Sequence, residues 1–174
     1  MSQAVISTIA SDRPGLVNEL SELIHRLNLN IDDSRMTVLG GEFAVLMMVT
    51  GSESAISDLD KQLSNFSTDT GSAYLFRRTE ERQENKNQIC CRISISAMDH
   101  PGIVHKVAAF FSKRAVNIRS IETESQHAAH TGSPIFSLEM LVETTGGKEF
   151  EVLKEAFYEF CGDEGLDGEL GVER

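Results

Sequence analysis

The chain has 174 residues, a formal net charge of −11 and three cysteines. No apolar run approaches the ~20 residues of a membrane-spanning helix, and the N-terminus lacks a basic region, so we expect neither membrane association nor a signal peptide. Residues 1–82 carry 12 acidic and 7 basic side chains and the rest carries 15 and 9, so both halves are acidic. Because phosphate contacts need a basic face, direct nucleic-acid binding is disfavoured.

Hydrophobic periodicity predicts the order βαββαβ in the first half of the chain. The predicted elements are a strand at 3–10, a helix at 14–27, strands at 30–39 and 42–50, a helix at 54–66 and a strand at 72–78. The strand at 42–50 is apolar on both faces, with Val45 and Met47 on one and Leu46 and Met48 on the other. Such a strand is typical of the interior of a sheet, and its second face needs a cover.

A wholly polar segment, 79–87, comes next and is predicted to be a linker between domains at 1–80 and 88–174. The predicted elements of the second half are a strand at 88–97, a helix at 101–114, a strand at 117–124, a loop at 125–133, a strand at 134–143, a helix after Gly146-Gly147 and a short strand near 169–173. In the first helix of each half, Val17 and Val104 are predicted to face inward.

A short motif occurs twice, each time between a predicted strand and a predicted helix. The two copies are Asp12-Arg13-Pro14-Gly15-Leu16-Val17 and Asp99-His100-Pro101-Gly102-Ile103-Val104. An Asn-Ile pair follows each copy, as Asn30-Ile31 and Asn117-Ile118, and 99 − 12 and 117 − 30 both give 87. The chain is therefore predicted to be an internal duplication of one folding unit.

Each unit has the pattern of the split βαβ, ferredoxin-like fold, an α+β class with an antiparallel sheet and both helices on one face. The opposite face of the sheet needs a neighbour wherever it is apolar, as in the strand at 42–50. We therefore expect sheet-to-sheet or edge contact between units or between chains, and a homodimer is the favoured arrangement.

The residue types of the motif suit the start of a helix. Proline lacks an N–H and fits the first turn, the preceding aspartate can accept hydrogen bonds from that turn, and glycine lets another group approach the backbone closely. The free N–H groups and the positive helix end form a small anion site that suits a carboxylate. Helix capping alone is the competing interpretation, although capping does not require the downstream asparagine.

The sequence gives little indication of catalysis or metal binding. Cys90, Cys91 and Cys161 form no disulfide framework and are interpreted as packing thiols of a reducing, cytoplasmic compartment. Neither the histidine pair at 127 and 130 nor the pair at 100 and 105 has a cysteine or carboxylate at metal-ligand spacing. No nucleophile elbow, P-loop or kinase signature is present. We expect no enzyme activity, metal or cofactor.

The strand–Asp-x-Pro-Gly–helix–Asn-Ile arrangement inside a βαββαβ unit resembles the ACT domain, a regulatory module that binds amino acids. Two tandem copies without an attached enzyme or DNA-binding domain are similar to the glycine cleavage system transcriptional repressor family. The first half carries that pattern as Asp12-Arg13-Pro14-Gly15, Asn30-Ile31-Asp32-Asp33-Ser34-Arg35 and Leu39-Gly40-Gly41-Glu42-Phe43. The second half departs from it, since His100 replaces Arg13 and Arg119-Ser120 replaces Asp32-Asp33.

The resemblance implies a non-enzymatic regulator that responds to glycine and contacts a DNA-bound activator. An amino-acid-sensing regulatory subunit of a metabolic enzyme is the alternative, because both would use the same fold. A small amino acid is expected at the start of the first helix, against Asn30 and Ile31, at an interface. The predicted ligand-binding residues are Asp12, Arg13, Pro14, Gly15, Leu16, Asn30, Ile31, Asp99, His100, Gly102, Ile103, Asn117 and Ile118.

Overall fold

A computed structural model of the protein describes residues 1–80, 88–127 and 132–173. The chain divides into two compact units, Met1–Gln83 and Glu84–Arg174, each of which carries four strands and two helices in the order βαββαβ. The predicted fold, two ferredoxin-like α+β units with antiparallel sheets, is confirmed. The domain limits at 1–80 and 88–174 stay a prediction, because most of the predicted linker lies outside the described residues.

The elements of the first unit are β1 (Ser2–Ser11), α1 (Leu16–Arg26), β2 (Asn30–Leu39), β3 (Glu42–Gly51), α2 (Glu53–Thr70) and β4 (Ala73–Thr79). The elements of the second unit are β5 (Gln88–Met98), α3 (Ile103–Ser112), β6 (Asn117–His127), β7 (Pro134–Thr145), α4 (Lys148–Glu164) and β8 (Asp167–Val172). The strand orders are β2-β3-β1-β4 and β6-β7-β5-β8, so β3 and β7 are interior strands and β2 and β6 are edges.

Each unit has one core, between the sheet and its two helices. The first core is aliphatic, and its buried residues are Ala4, Ile6, Leu20, Leu23, Ile24, Leu29, Val45, Met47, Val49, Ile56, Leu59 and Leu63. The second core is aromatic in its centre, where the ring of Phe111 lies 4.9 Å from that of Phe110 and 6.1 Å from that of Phe157. Period-2 alternation in the strands and period-3.6 stripes in the helices place these side chains on facing surfaces.

Several local predictions need correction. Val17 and Val104 are 42% and 43% exposed, so neither faces its core. These positions lie at the margin of the apolar stripe. Whether a side chain is buried there depends on how the helix packs on the sheet, which the sequence periodicity does not determine. β6 continues to His127, because Ser125, Gln126 and His127 pair with β7, and the predicted loop at 125–133 is therefore too long. Residues 128–131 lie outside the described residues.

Thr8 provides a stability test of the first core. It is 2% exposed, and its Oγ1 is the one buried side-chain polar atom of the described residues that has no hydrogen-bond partner. The second unit has Ile95 at the equivalent position. Because a buried hydroxyl without a partner is unfavourable, we expect Thr8→Val to raise the unfolding free energy by about 1 kcal/mol in urea titrations. Thr50→Val, which removes a hydroxyl bonded to Asp32, is the control and brings no gain; a loss of stability in Thr8→Val would contradict the argument.

Candidate functional site

The turn between β1 and α1 is built on a glycine in both units. Gly15 has φ 93° and Gly102 has φ 101°, and each immediately precedes its helix. L-residues with a side chain rarely adopt this backbone conformation, which explains why glycine stands there. The helices therefore begin two residues later than predicted, at Leu16 and Ile103, both of which are buried.

The predicted capping role of Asp12 is wrong. No side chain caps α1 or α3, and the positive-φ glycine turns the chain before the aspartate can reach the helix. The backbone N–H of Asp12 instead donates to the carbonyl of Gly41 at 3.0 Å, which fastens the turn to the β2–β3 hairpin. Asp99 repeats this contact through the carbonyl of Pro134, also at 3.0 Å, and its carboxylate accepts from the hydroxyl of Ser125.

The helix starts offer backbone donors. The first intrahelical hydrogen bond of α1 runs from Glu19 N to Gly15 O at 2.9 Å, and in α3 the same bond runs from Lys106 N to Gly102 O at 3.0 Å. The three amides before each of these bonds, at 16–18 and 103–105, have no acceptor within the helix. Together with the positive end of the helix dipole, they favour a bound anion such as a carboxylate.

The side chains around the two turns differ in charge. In the first unit Arg13 donates to both carboxylate oxygens of Glu19, at 2.7 and 2.5 Å, beside Pro14 and Gly15. In the second unit Lys106 stands in the place of Glu19 and pairs with Glu164 at 2.5 Å. His100, which replaces Arg13, lies with Nδ1 3.1 Å from the carbonyl oxygen of its neighbour Pro101. Both turns thus have an ion pair nearby, but the helix itself contributes the anion, Glu19, in the first unit and the cation, Lys106, in the second.

The hydrogen bonds from Arg13 lower the pKa of the Glu19 carboxyl below its usual range. Because the folded-state pKa is the lower one, the pair contributes stability above the unfolded pKa, and this is lost as pH falls through the folded value. We expect Arg13→Gln to move the pKa of Glu19 back up, as measured by NMR titration of its carboxyl carbon. Arg26→Gln, on the same helix, serves as the control and leaves it unchanged. An unaltered Glu19 titration in Arg13→Gln would contradict the pairing.

Asn30 lies at the start of edge strand β2, where Asp32 forms a bulge. Its amide nitrogen donates to Asp32 at 2.7 Å, and the hydroxyl of Thr50 donates to the same carboxylate. Ile31 is 36% exposed beside them. Asp32 and Thr50 were not among the predicted site residues, although the similarity of Asp32 to the family pattern was a signal for it. This corner offers a carboxylate and an amide oxygen to an ammonium group.

Asn117 lies at the start of edge strand β6, at the equivalent corner of the second unit. Its amide nitrogen donates to Glu143 at 3.1 Å, and the Arg119 guanidinium lies 3.6 Å from the other oxygen of that carboxylate. Ile118, which is half-buried, precedes the same kind of bulge. The second corner therefore has an ion pair of Arg119 and Glu143 where the first has the carboxylate of Asp32, which accepts from Asn30 and Thr50.

Within one unit the glycine turn and the asparagine corner do not meet. Asn30 pairs with Thr50, which pairs with Gln3 at the beginning of β1, whereas Asp12 follows Ser11 at the end of β1. From Gln3 to Ser11 the strand advances about 25 Å at the usual rise of ~3.3 Å per residue. That distance far exceeds the length of a small amino acid. One small amino acid therefore cannot contact both the start of α1 and the Asn30-Ile31 pair of the same unit, and the expected site at an interface stays a prediction.

The cysteines and the described histidines form no cluster that could hold a metal ion. Burial raises the pKa of Cys91 and of Cys161 to about 11, so both are protonated thiols at neutral pH. Cys90 is half-buried, and its thiol donates to Glu173 at 3.3 Å. Among residues 1–80, 88–127 and 132–173, no three His, Cys, Asp or Glu side chains lie close enough to hold a metal ion. His130 lies outside these ranges, and the absence of a metal stays a prediction.

The duplicated fold and its paired glycine turns define the chain as a tandem of two ferredoxin-like units. Comparison with known families gives a match to the ACT domain at residues 2–76 and a second match to the ACT domain at residues 92–162. The chain belongs to the ACT domain family, with two copies in tandem, and the resemblance seen in the motifs is confirmed.

The chain is also similar to three individual proteins. The glycine cleavage system transcriptional repressor of Escherichia coli is 23% identical over 168 residues, which are 97% of this chain and 88% of that protein. UPF0237 protein MK1213 of Methanopyrus kandleri is 42% identical over 57 residues, 33% of this chain and 63% of its own. A crystal structure provisionally named for the same repressor aligns with a TM-score of 0.75 and 24% identity over 99% of this chain and 98% of that one. The chain is thus similar to a regulatory protein over nearly its whole length.

One further structural finding concerns membranes. None of the helices within the described ranges has the length and apolar character needed to cross a bilayer.

Proposed function

We propose that this protein is a non-enzymatic, cytoplasmic regulator that binds a small, glycine-like amino acid and controls transcription by contacting a DNA-bound regulatory protein. The observation that carries the proposal is the pair of glycine turns with unpaired helix amides, in a chain that aligns with the E. coli repressor over 97% of its length. Its net charge of −11 favours action through a protein partner over direct contact with DNA.

The two halves of the first site bind different groups of an amino acid. The amides at 16–18 take the carboxylate, and the corner formed by Asn30 and Asp32 takes the ammonium group. Since about 25 Å of β1 separates these halves, each is completed by groups supplied from outside its own unit. We place the protein in a homodimer, and ligand binding at such incomplete sites would change how the surrounding units pack, which is a signal that a partner can detect.

The second site follows the same plan with different affinity. Its turn has the free helix amides after Gly102 and a lysine, Lys106, that is already paired with Glu164, whereas its corner at Asn117 is occupied by the pair of Arg119 and Glu143. We therefore assign the amino-acid selectivity to the first unit. Ligand binding by the second unit is expected to be weaker for groups that carry an ammonium charge.

Calorimetry with glycine, alanine and serine on the full chain tests the ligand. We expect millimolar or tighter binding of at least one of them, and loss of that binding in Asn30→Ala and Asp32→Asn. Asn117→Ala is the matched control for the second unit and retains the first site. Equal affinity in wild type and Asn30→Ala would refute the position of the site, and no binding at millimolar concentration would leave a purely protein-binding regulator.

Capture of partners by the full chain tests the second half of the proposal. We expect a DNA-binding protein to be recovered, in amounts that change when the bound amino acid is added. A metabolic enzyme recovered in its place, with an activity that responds to the amino acid, would support a regulatory enzyme subunit and contradict the transcriptional role.

A further inference from the structure

The duplication provides an internal comparison of the two open sheet faces, the faces opposite the helices. Ser7 of β1 pairs with Leu46 of β3 and with Leu75 of β4. In the second unit, Ser94 takes the place of Ser7, and it pairs with Glu139 and Glu169. Leu46 is therefore equivalent to Glu139, and Leu75 is equivalent to Glu169.

The same contrast holds at three further positions of the two faces, which are, first unit before second, Val5 with Arg92, Ile9 with Ser96 and Ala44 with Ser137. It does not extend to Met48, whose equivalent Leu141 is also apolar, or to Arg77, whose equivalent is Gly171. The second sheet keeps the same strand order and pairing with polar side chains at these positions, so the fold does not require apolar ones. In the first unit, Ile9 and Leu46 are each 49% exposed and Leu75 is 74% exposed. Contiguous exposed apolar side chains of this kind indicate an interaction surface.

We propose that the open face of the first sheet binds the same face of a second copy of the chain, about a two-fold axis parallel to the strands. Aligned face-to-face packing is one of the two common arrangements of antiparallel sheets, and a two-fold axis joins identical surfaces. This inference rests on the homodimer of the proposed function and adds its surface; it does not depend on the ligand.

The strand register makes this face complementary to itself. In this arrangement β4 of the second copy lies over β2 of the first copy, and β1 of the second copy lies over β3 of the first. Residues that pair across neighbouring strands of one sheet form a row, and each row lies over the same row of the second copy. Leu46 then meets Ser7 of the second copy, and Ile9 meets Ala44 of the second copy. Large side chains thus lie over small ones in these two rows, which favours close packing of the two faces, whereas in the next row Val5 meets Met48 of the second copy.

The charges at the edges of the face are complementary under the same axis. Val5 pairs with Arg77 on one side and with Met48 on the other, and Met48 pairs with Asp33. One row thus carries a cation at the β4 edge and an anion at the β2 edge. The axis brings Arg77 over Asp33 of the second copy, twice in each dimer. Arg35 contacts one oxygen of Asp33 at 2.5 Å within the chain, which leaves the other carboxylate oxygen for this contact.

The size of the face fits a reversible dimer. Four strands at ~4.8 Å spacing and about 30 Å in length give roughly 600 Å² of face in each copy. Two such faces amount to about 1,200 Å², the lower end of the range for specific interfaces. The dimer covers the open face of β2 but leaves its outer backbone edge and the β1–α1 turn uncovered, so ligand binding can be measured on the dimer and on a monomeric variant alike.

Sedimentation of the full chain, over a hundredfold range of concentration up to tens of micromolar, tests the surface. We expect a concentration-dependent dimer for the wild type and a monomer for Leu46→Glu, with unchanged circular dichroism, because Glu139 occupies the same place in the second sheet. Glu139→Gln is the matched control and remains dimeric. A wild-type monomer would refute the homodimer itself, whereas a dimer that persists in Leu46→Glu would refute this face alone.

Charge reversal tests the axis. We expect Asp33→Arg and Arg77→Asp to weaken the dimer by about tenfold each, because each puts like charges opposite one another. The double variant restores the contact with reversed signs and returns the dissociation constant to near the wild-type value. If the double variant dimerised as weakly as the two single effects added together predict, the two-fold axis parallel to the strands would be overturned. Calorimetry with glycine on Leu46→Glu then reports on the ligand site separately.

Discussion

Phe111→Ala lowers the unfolding free energy of the second unit by about 3–5 kcal/mol, the usual range for a fully buried phenylalanine. Phe111 is completely buried, packs edge-on against Phe110 and stacks near Phe157, so its removal leaves a cavity between α3, α4 and the sheet. The surrounding rings are rigid, and they collapse into the cavity only in part. Of the substitutions considered for this protein, we expect this one to have the largest effect on stability.

The duplication provides the matched control. Ile24 is the equivalent residue of α1 and is 1% exposed, so Ile24→Ala lowers the stability of the first unit by about 2–5 kcal/mol. Native-state hydrogen exchange, read by mass spectrometry of peptides from each unit, separates the two effects. Faster exchange is expected at 88–127 and 132–173 for Phe111→Ala and at 1–80 for Ile24→Ala. Unchanged exchange in the second unit of Phe111→Ala would contradict the assigned core.

Gly15→Val is expected to weaken amino-acid binding by about tenfold or more, or 1.4 kcal/mol. A β-branched residue does not tolerate φ near +93°, so the turn must rearrange at a cost of about 1–3 kcal/mol. The rearranged turn no longer presents the amides at 16–18 in the orientation that a carboxylate requires. Calorimetry with the amino acid that the wild type binds measures the loss.

Gly102→Val is the matched change in the second unit. Gly102 has φ 101° and open space where a Cβ would lie, so the strain is similar, whereas the first site is untouched. We expect Gly102→Val to keep the affinity of the first site with a comparable loss of stability. If Gly15→Val lost stability and bound the amino acid as the wild type does, the helix start would not be the carboxylate site.

Local patterns predicted the elements well, because their information lies within a few residues. The predicted strand at 30–39 has the observed limits of β2, and the apolar strand at 42–50 predicted the interior position of β3. The repeated Asp-x-Pro-Gly predicted two helix starts, both of which the positive φ of its glycine accounts for. Capping by Asp12 failed because the same glycine moves the helix start beyond the reach of the aspartate.

The sequence by itself determined that the chain is a duplication, which elements each unit has, and where its two glycine turns lie, since each of these depends on local backbone chemistry. Only the tertiary structure decided the distance between the turn and Asn30. The eleven residues of α1 carry the chain back about 16 Å, at ~1.5 Å per residue, so residues that look close in the motif lie at opposite ends of the sheet. The tertiary structure also decided which side chains share the open face of the sheet. Ile9, Leu46 and Leu75 belong to three separate strands, and only the antiparallel register brings them onto one surface.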